Sequence, residues 1–113
     1  MNRAIAPFAA LACAASVALA AYASHAAQAQ QQQRLAIASA FAFGHGLALL
    51  ALPGRVGRWA QAARIAFVLG IVLFSGSLVL AAFFETSTVL APAGGSLFIL
   101  GWAMLSIDHL RRP

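Results

Sequence analysis

Residues 20–30 read AAYASHAAQAQ, and the reading of this stretch decides how many times the chain crosses a membrane. It closes an apolar run and contains Ala27-Gln28-Ala29, an A-x-A pattern of the kind that signal peptidase cuts. Cleavage after Ala29 leaves three apolar segments; retention leaves four. The residues themselves support both. A short basic start, an apolar stretch and small residues ahead of a glutamine tract fit a signal peptide. The run from Ala4 to Ser24 is about 20 residues, however, and a signal core is roughly 7–15. Either outcome leaves the later segments in the same orientation.

Working outward, the composition excludes a water-soluble globule. The chain has 113 residues, 63% hydrophobic and 8% charged, with a mean hydropathy of +0.89. Soluble domains use about 25% charged residues, and this chain has too few to form a polar shell. Lipid must cover part of its surface. The net charge of +5 comes from arginines, with Glu85 and Asp108 the acidic residues. The arginines sit at the edges of apolar runs without interleaved aromatics. That distribution fits membrane orientation and not a nucleic-acid face. Cys13 is the single cysteine, so neither an internal disulfide nor a cysteine-based metal cluster is available. Among alanines it reads as a small packing residue.

A membrane-spanning helix needs about 20 apolar residues. Four segments approach this: 4–24, 35–52, 65–84 and 89–107. Pro7 falls in the first turn of its segment, where a proline is tolerated. The expected connections are 25–34, 53–64 and 85–88, and such short links join antiparallel neighbours. The expectation is one all-α membrane domain over 1–113, an integral membrane four-helix up-down bundle. Strands are not expected, because the runs are apolar on all sides and do not alternate. Arg3, Arg55, Arg58, Arg64, Arg111 and Arg112 would lie on one side and Arg34 on the other. This bias places both termini and the 53–64 connection in the cytoplasm of a bacterial cell, with the bundle in the inner membrane. Pro92 either breaks a helix begun at Val89 or starts one of about 24 Å ending at Ile107. The Pro92, Gly94, Gly95 cluster calls for surrounding protein to satisfy freed backbone groups.

Three further segments carry a family resemblance: GHGLALLAL (44–52), LFSGSLVLAAF (73–83) and LAPAGGSLFILGWAMLSI (90–107). They resemble successive motifs of domain-of-unknown-function family 423, small four-span membrane proteins. AAYASHAA (20–27) occupies the place of that family's first-span motif, with His25 matching its histidine and Tyr22 its aromatic. The resemblance runs in order over nearly the whole chain. Ala23 and Ala26 stand where the motif has glycines, Gly44 where it has an aromatic and Ala91 where it has threonine. What the resemblance implies is a four-span inner-membrane fold, a retained first span and no established activity.

His45 is the residue most open to chemistry. It lies about 15 Å in from the outer end of its segment, and an ionisable group at that depth is a functional candidate. Ser75 and Ser77 of the next, oppositely directed segment lie at similar depth. The expected partners of the imidazole are therefore Ser75, Ser77 or a carbonyl beside Gly76. One reading is a proton relay or a ligand contact. The other is a buried interhelical hydrogen bond that fixes register and contributes about 0.6–2 kcal/mol. Small residues point to close helix packing. Ala36, Ala40, Gly44 and Ala48 recur every fourth residue, Gly70 and Ser77 lie two turns apart, as do Gly94 and Gly101, and Gly76 and Gly95 extend the set.

No cofactor is expected. His25, His45 and His109 fall at different depths, which suits neither a bis-histidine haem nor a metal. Asp108 and His109 are expected in a polar inner cap with Arg111 and Arg112, and Glu85 as a cap on the outer end of the third helix. No nucleophile, base and acid converge, and no catalytic residue is expected. The function expected is structural or accessory, through helix packing with itself or with another membrane protein, in a lipid bilayer. The alternative is a small proton-coupled transporter using His45. A third reading, a redox or quinone-binding subunit, calls for a bound ligand.

Overall fold

A computed structural model describes residues 3–26 and 28–111. Ala27 of the A-x-A pattern and Arg112 of the expected inner cap lie outside the described residues. The described residues are helical apart from short connections. The helices are α1 (Ile5–Ala23), α2 (Ala29–Leu50), α3 (Arg58–Phe84) and α4 (Ala91–Arg111). Of these, α1, α3 and α4 are long and apolar enough to cross a membrane. The expected second segment, 35–52, belongs to α2, which is not among those three because its first turns carry Gln30–Gln33 and Arg34.

Two expected connections, 25–34 and 53–64, are helical in their later parts. The glutamine tract lies inside α2, since glutamine is a good helix former and no Gly or Pro intervenes between Ala29 and Leu35. Its side chains also find work there. Gln31 Nε2 donates to the Ala82 carbonyl at 3.2 Å and Arg34 Nη1 to the Ala81 carbonyl at 3.2 Å. Both are carbonyls of the last turn of α3, where helical partners run out: Arg34 shares the Ala81 carbonyl with the Glu85 N–H, and Gln31 reaches Ala82 beyond it. Residues 58–64 likewise form the start of α3 and not a loop. The break that does occur follows Leu50, runs through Pro53 and Gly54, and ends at Gly57, whose φ of 114° favours glycine.

Pro92 falls in the first turn of α4, where its missing N–H costs nothing. Glu85 ends α3 in the left-handed region with φ 55°, and its backbone N–H closes on the Ala81 carbonyl at 3.0 Å. The cap expected from Glu85 is thus made by its main chain. Ile71–Ser75 form a π-helical turn within α3. This single wide turn brings Ser75 inward, where its hydroxyl donates to the Ala38 carbonyl of α2 at 2.9 Å.

α3 and α4 pack as reciprocal ridges and notches. Phe67 lies at Gly101, Phe98 at Gly70 and Phe74 at Gly94. The numbers fall along one helix as they rise along the other, so the pair is antiparallel. The buried positions of α4 are Ala91, Gly94, Phe98, Gly101, Leu105 and Asp108. This alternation of three and four residues is the seam spacing of helices crossing at a shallow angle. α2 buries Leu35, Ala38, Ser39, Ala42, His45, Gly46 and Leu49. α1 rests on α2, with Gly46 against Cys13 and Ala9. Outward faces carry exposed Leu11, Val17, Leu80, Phe84, Ile99 and Leu100.

Candidate functional site

The helix faces just described converge on His45, which is 7% exposed. Its Nδ1 lies 2.7 Å from the Phe41 carbonyl one turn earlier, and Trp102 Nε1–H donates to its Nε2 at 3.0 Å. An indole N–H can only donate, so Nε2 must accept. The hydrogen therefore resides on Nδ1, and the imidazole is neutral with both nitrogens engaged. Phe98 stacks on the ring at 3.6 Å between centroids, and Phe67 meets it edge-on at 5.2 Å. Phe41 and Phe74 close the cluster, packing on Phe98 at 5.9 and 5.6 Å.

The expected bond from His45 to Ser75 or Ser77 is not formed. Ser75 uses its hydroxyl on Ala38, one helical turn from the imidazole's own carbonyl partner, and Ser77 is buried nearby in sequence without joining the cluster. All three expected residues are buried, yet the partner of His45 comes from α4. The aromatic cage does not follow from the depth of these residues. Its signal was available: Phe41 lies one turn before His45, while Phe98 and Trp102 lie one turn apart on a single face. Other hydroxyls within the apolar segments bond back to their own helix, Ser16 to Ala12 and Ser39 to Leu35, each at 2.7 Å.

The packing glycines divide into two groups. Gly70, Gly94 and Gly101 each lie where a Cβ would collide with an aromatic residue of the facing helix. Gly95 has ordinary contact with the Phe74 ring at 3.7 Å. Gly44 and Gly76 face open space, with nothing within 4 Å of a Cβ. Of the expected stripe, Ala36, Ala40 and Gly44 are exposed and Ala48 is half-buried against the core, while α2 packs mainly through the neighbouring face. In an alanine-rich helix, small residues recur every fourth position on more than one face, and only tertiary contact selects among them.

A second polar centre holds the end of the molecule where α2 meets α3. Arg55 Nε donates to Asp108 Oδ2 at 2.9 Å, and Arg55 Nη2 lies 2.7 Å from the same oxygen. Asp108 is 1% exposed. Arg55 of the connection between α2 and α3 thus partners Asp108, and His109 engages the Leu105 carbonyl. Arg64, expected in a loop, is buried at 2% exposure. Its Nη2 donates to the Leu52 carbonyl at 2.6 Å and to the Arg55 carbonyl, and Nη1 to Gln61 Oε1 at 3.2 Å. Arg64 thereby satisfies main-chain groups released where α2 ends.

Apolar outer faces around a hydrogen-bonded polar interior define a helical membrane protein with an uncharged, aromatic-caged histidine at its centre. The chain belongs to the family described as Protein of unknown function (DUF423), whose model matches residues 19–95. That match opens in the last turns of α1, a shorter extent than the whole-chain resemblance read from the motifs. A UPF0382 membrane protein of Haemophilus influenzae is 40% identical over 68 residues, 58% of this chain and 52% of the relative. The chain thus spans about half the length of that curated relative. No solved structure matches. Neither description states a biochemical activity.

Proposed function

We propose that this chain is a multi-pass protein of the bacterial inner membrane that acts as a structural or accessory component, through helix packing with itself or another membrane protein, and is not an enzyme. The observation that carries this reading is the double engagement of His45. A proton carrier needs a nitrogen free to take the proton, and Nε2 is held by Trp102. The central polar group is thus built as a register-fixing bond between α2 and α4. Within this reading α2 is the fourth span, its apolar part entering the membrane after Arg34, and the molecule is an up-and-down bundle. Both termini and the 51–57 connection face the cytoplasm. The crowding of Arg3, Arg55, Arg58 and Arg111 at the opposite end from Arg34 supports that orientation.

Replacement of His45 by Ala tests the assignment. Lower thermal stability or altered oligomeric state in mild detergent is the expected result. Unchanged stability with loss of proton-coupled flux in proteoliposomes would replace it with transport. Reporter fusions at the C-terminus and after Glu85 test orientation, the first expected active in the cytoplasm and the second outside.

A further inference from the structure

Where α3 begins and α4 ends, a pocket of about 300 Å³ is lined by Arg58, Trp59, Asp108 and Arg111. This is the small end of the range for ligand pockets, roughly 300–1,000 Å³. Its wall carries one carboxylate, and Arg55 already sets two guanidinium nitrogens on Asp108 Oδ2. Arg58 and Arg111 have no carboxylate partner among the described residues. Arg58 instead lies over the Trp59 ring, 5.5 Å from its centroid. Trp59 Nε1–H is shielded from solvent and has no acceptor among the described residues. The pocket therefore combines two guanidiniums that lack a carboxylate partner with a shielded donor that lacks an acceptor. The start of α3 adds to this, since Gly57 supplies no side-chain cap and the first turn has no acidic residue.

We propose that this pocket binds the phosphate of an anionic phospholipid headgroup. Phosphate oxygens only accept, and they match the donor forks of Arg58 and Arg111 bidentately. Trp59 supplies a third donor at the membrane surface, where its indole body is at home in the interface. Arg55 makes the site tolerable to an anion by neutralising Asp108.

The test uses full-length protein in mild detergent, equilibrated with phosphatidylglycerol or with phosphatidylcholine and examined by native mass spectrometry. Preferential retention of phosphatidylglycerol is expected. Arg58→Gln and Arg111→Gln should each reduce it about fivefold, the scale of one basic residue at an anionic surface. Trp59→Phe should also reduce retention without changing charge. Arg3→Gln removes a charge outside the pocket and should leave retention unchanged. Circular dichroism confirms that each variant is folded; because Arg58 and Arg111 are both exposed, both variants are expected to fold. Equal retention of the two lipids, or equal loss in Arg3→Gln, overturns the proposal. Displacement of phosphatidylglycerol by millimolar inorganic phosphate overturns the lipid as occupant and reassigns the pocket to free phosphate. Failure of phosphate to compete supports the lipid.

Discussion

Trp102 donates its indole hydrogen to His45 across the α2–α4 contact, at 3.0 Å, and so fixes which imidazole nitrogen carries the proton. Because Phe41 takes the other nitrogen, the ring has no unused polar atom. A double-mutant cycle of His45→Phe and Trp102→Phe should give a coupling of about 0.6–1.7 kcal/mol, the span of interhelical bonds in membranes. Thermal unfolding of the single and double variants in one detergent measures it. A coupling near zero would show that the bond contributes nothing and that the aromatic contacts alone hold the centre.

The glycines of the α3–α4 seam give a position-specific prediction. A Cβ at Gly94 would strike the Phe74 backbone, which cannot swing aside. Gly94→Ala should cost about 1–3 kcal/mol or more, the scale of overpacking. Gly101→Ala strikes the Phe67 ring and crowds the Ala66 Cβ, side chains and not backbone, and should cost less. Gly44→Ala and Gly76→Ala meet open space and should be neutral or stabilising, by up to about 1 kcal/mol from helix propensity. Stability measured across the four variants checks the order. A destabilised Gly44→Ala would contradict the assigned face of α2.

Asp108 and Arg55 form an ion pair with one deeply buried member and one partly exposed, at 2% and 28% side-chain exposure. Asp108→Asn keeps the shape and removes the charge. It should cost about 3 kcal/mol, the lower end for breaking a buried pair, because Arg55 can regain water. Arg55→Gln should cost more, since it takes a cation from a carboxylate that is too buried to regain water. Unfolding midpoints of the two variants give the comparison, and equal midpoints would count against Asp108 as the desolvated partner.

Arg64 tests a different principle, because its partners are carbonyls. Its planar fork reaches Leu52, Arg55 and Gln61 together. A lysine ammonium lacks that fixed fork. Arg64→Lys should lower stability by about 1–3 kcal/mol although charge is conserved, because buried acceptors are left unpaired. Hydrogen exchange should rise first at the end of α2 and in the 51–57 connection. Unchanged exchange there would mean that these carbonyls find other donors.

The sequence by itself determined the class of this protein. Apolar run length and the shortage of charge are local sums, and they exclude a soluble globule whatever the tertiary packing. The same sums located the breaks at Pro53-Gly54 and at Glu85, and left open whether Pro92 breaks a helix or starts one. They misplaced residues 29–34 and 58–64, because polar character suggests a loop while helix propensity and waiting carbonyls favour continuing the helix. What only the tertiary structure decided was rotation. Each residue turns a helix by about 100°, and a helix apolar on all sides gives no local signal of which face meets its neighbour. Hence depth alone brought His45 together with Ser75, while rotation gave its bond to Trp102. Rotation likewise separated Gly94 from Gly44 and joined Asp108 to Arg55. Side-chain chemistry specified that His45 and Asp108 need partners, and the packing of α2, α3 and α4 chose them.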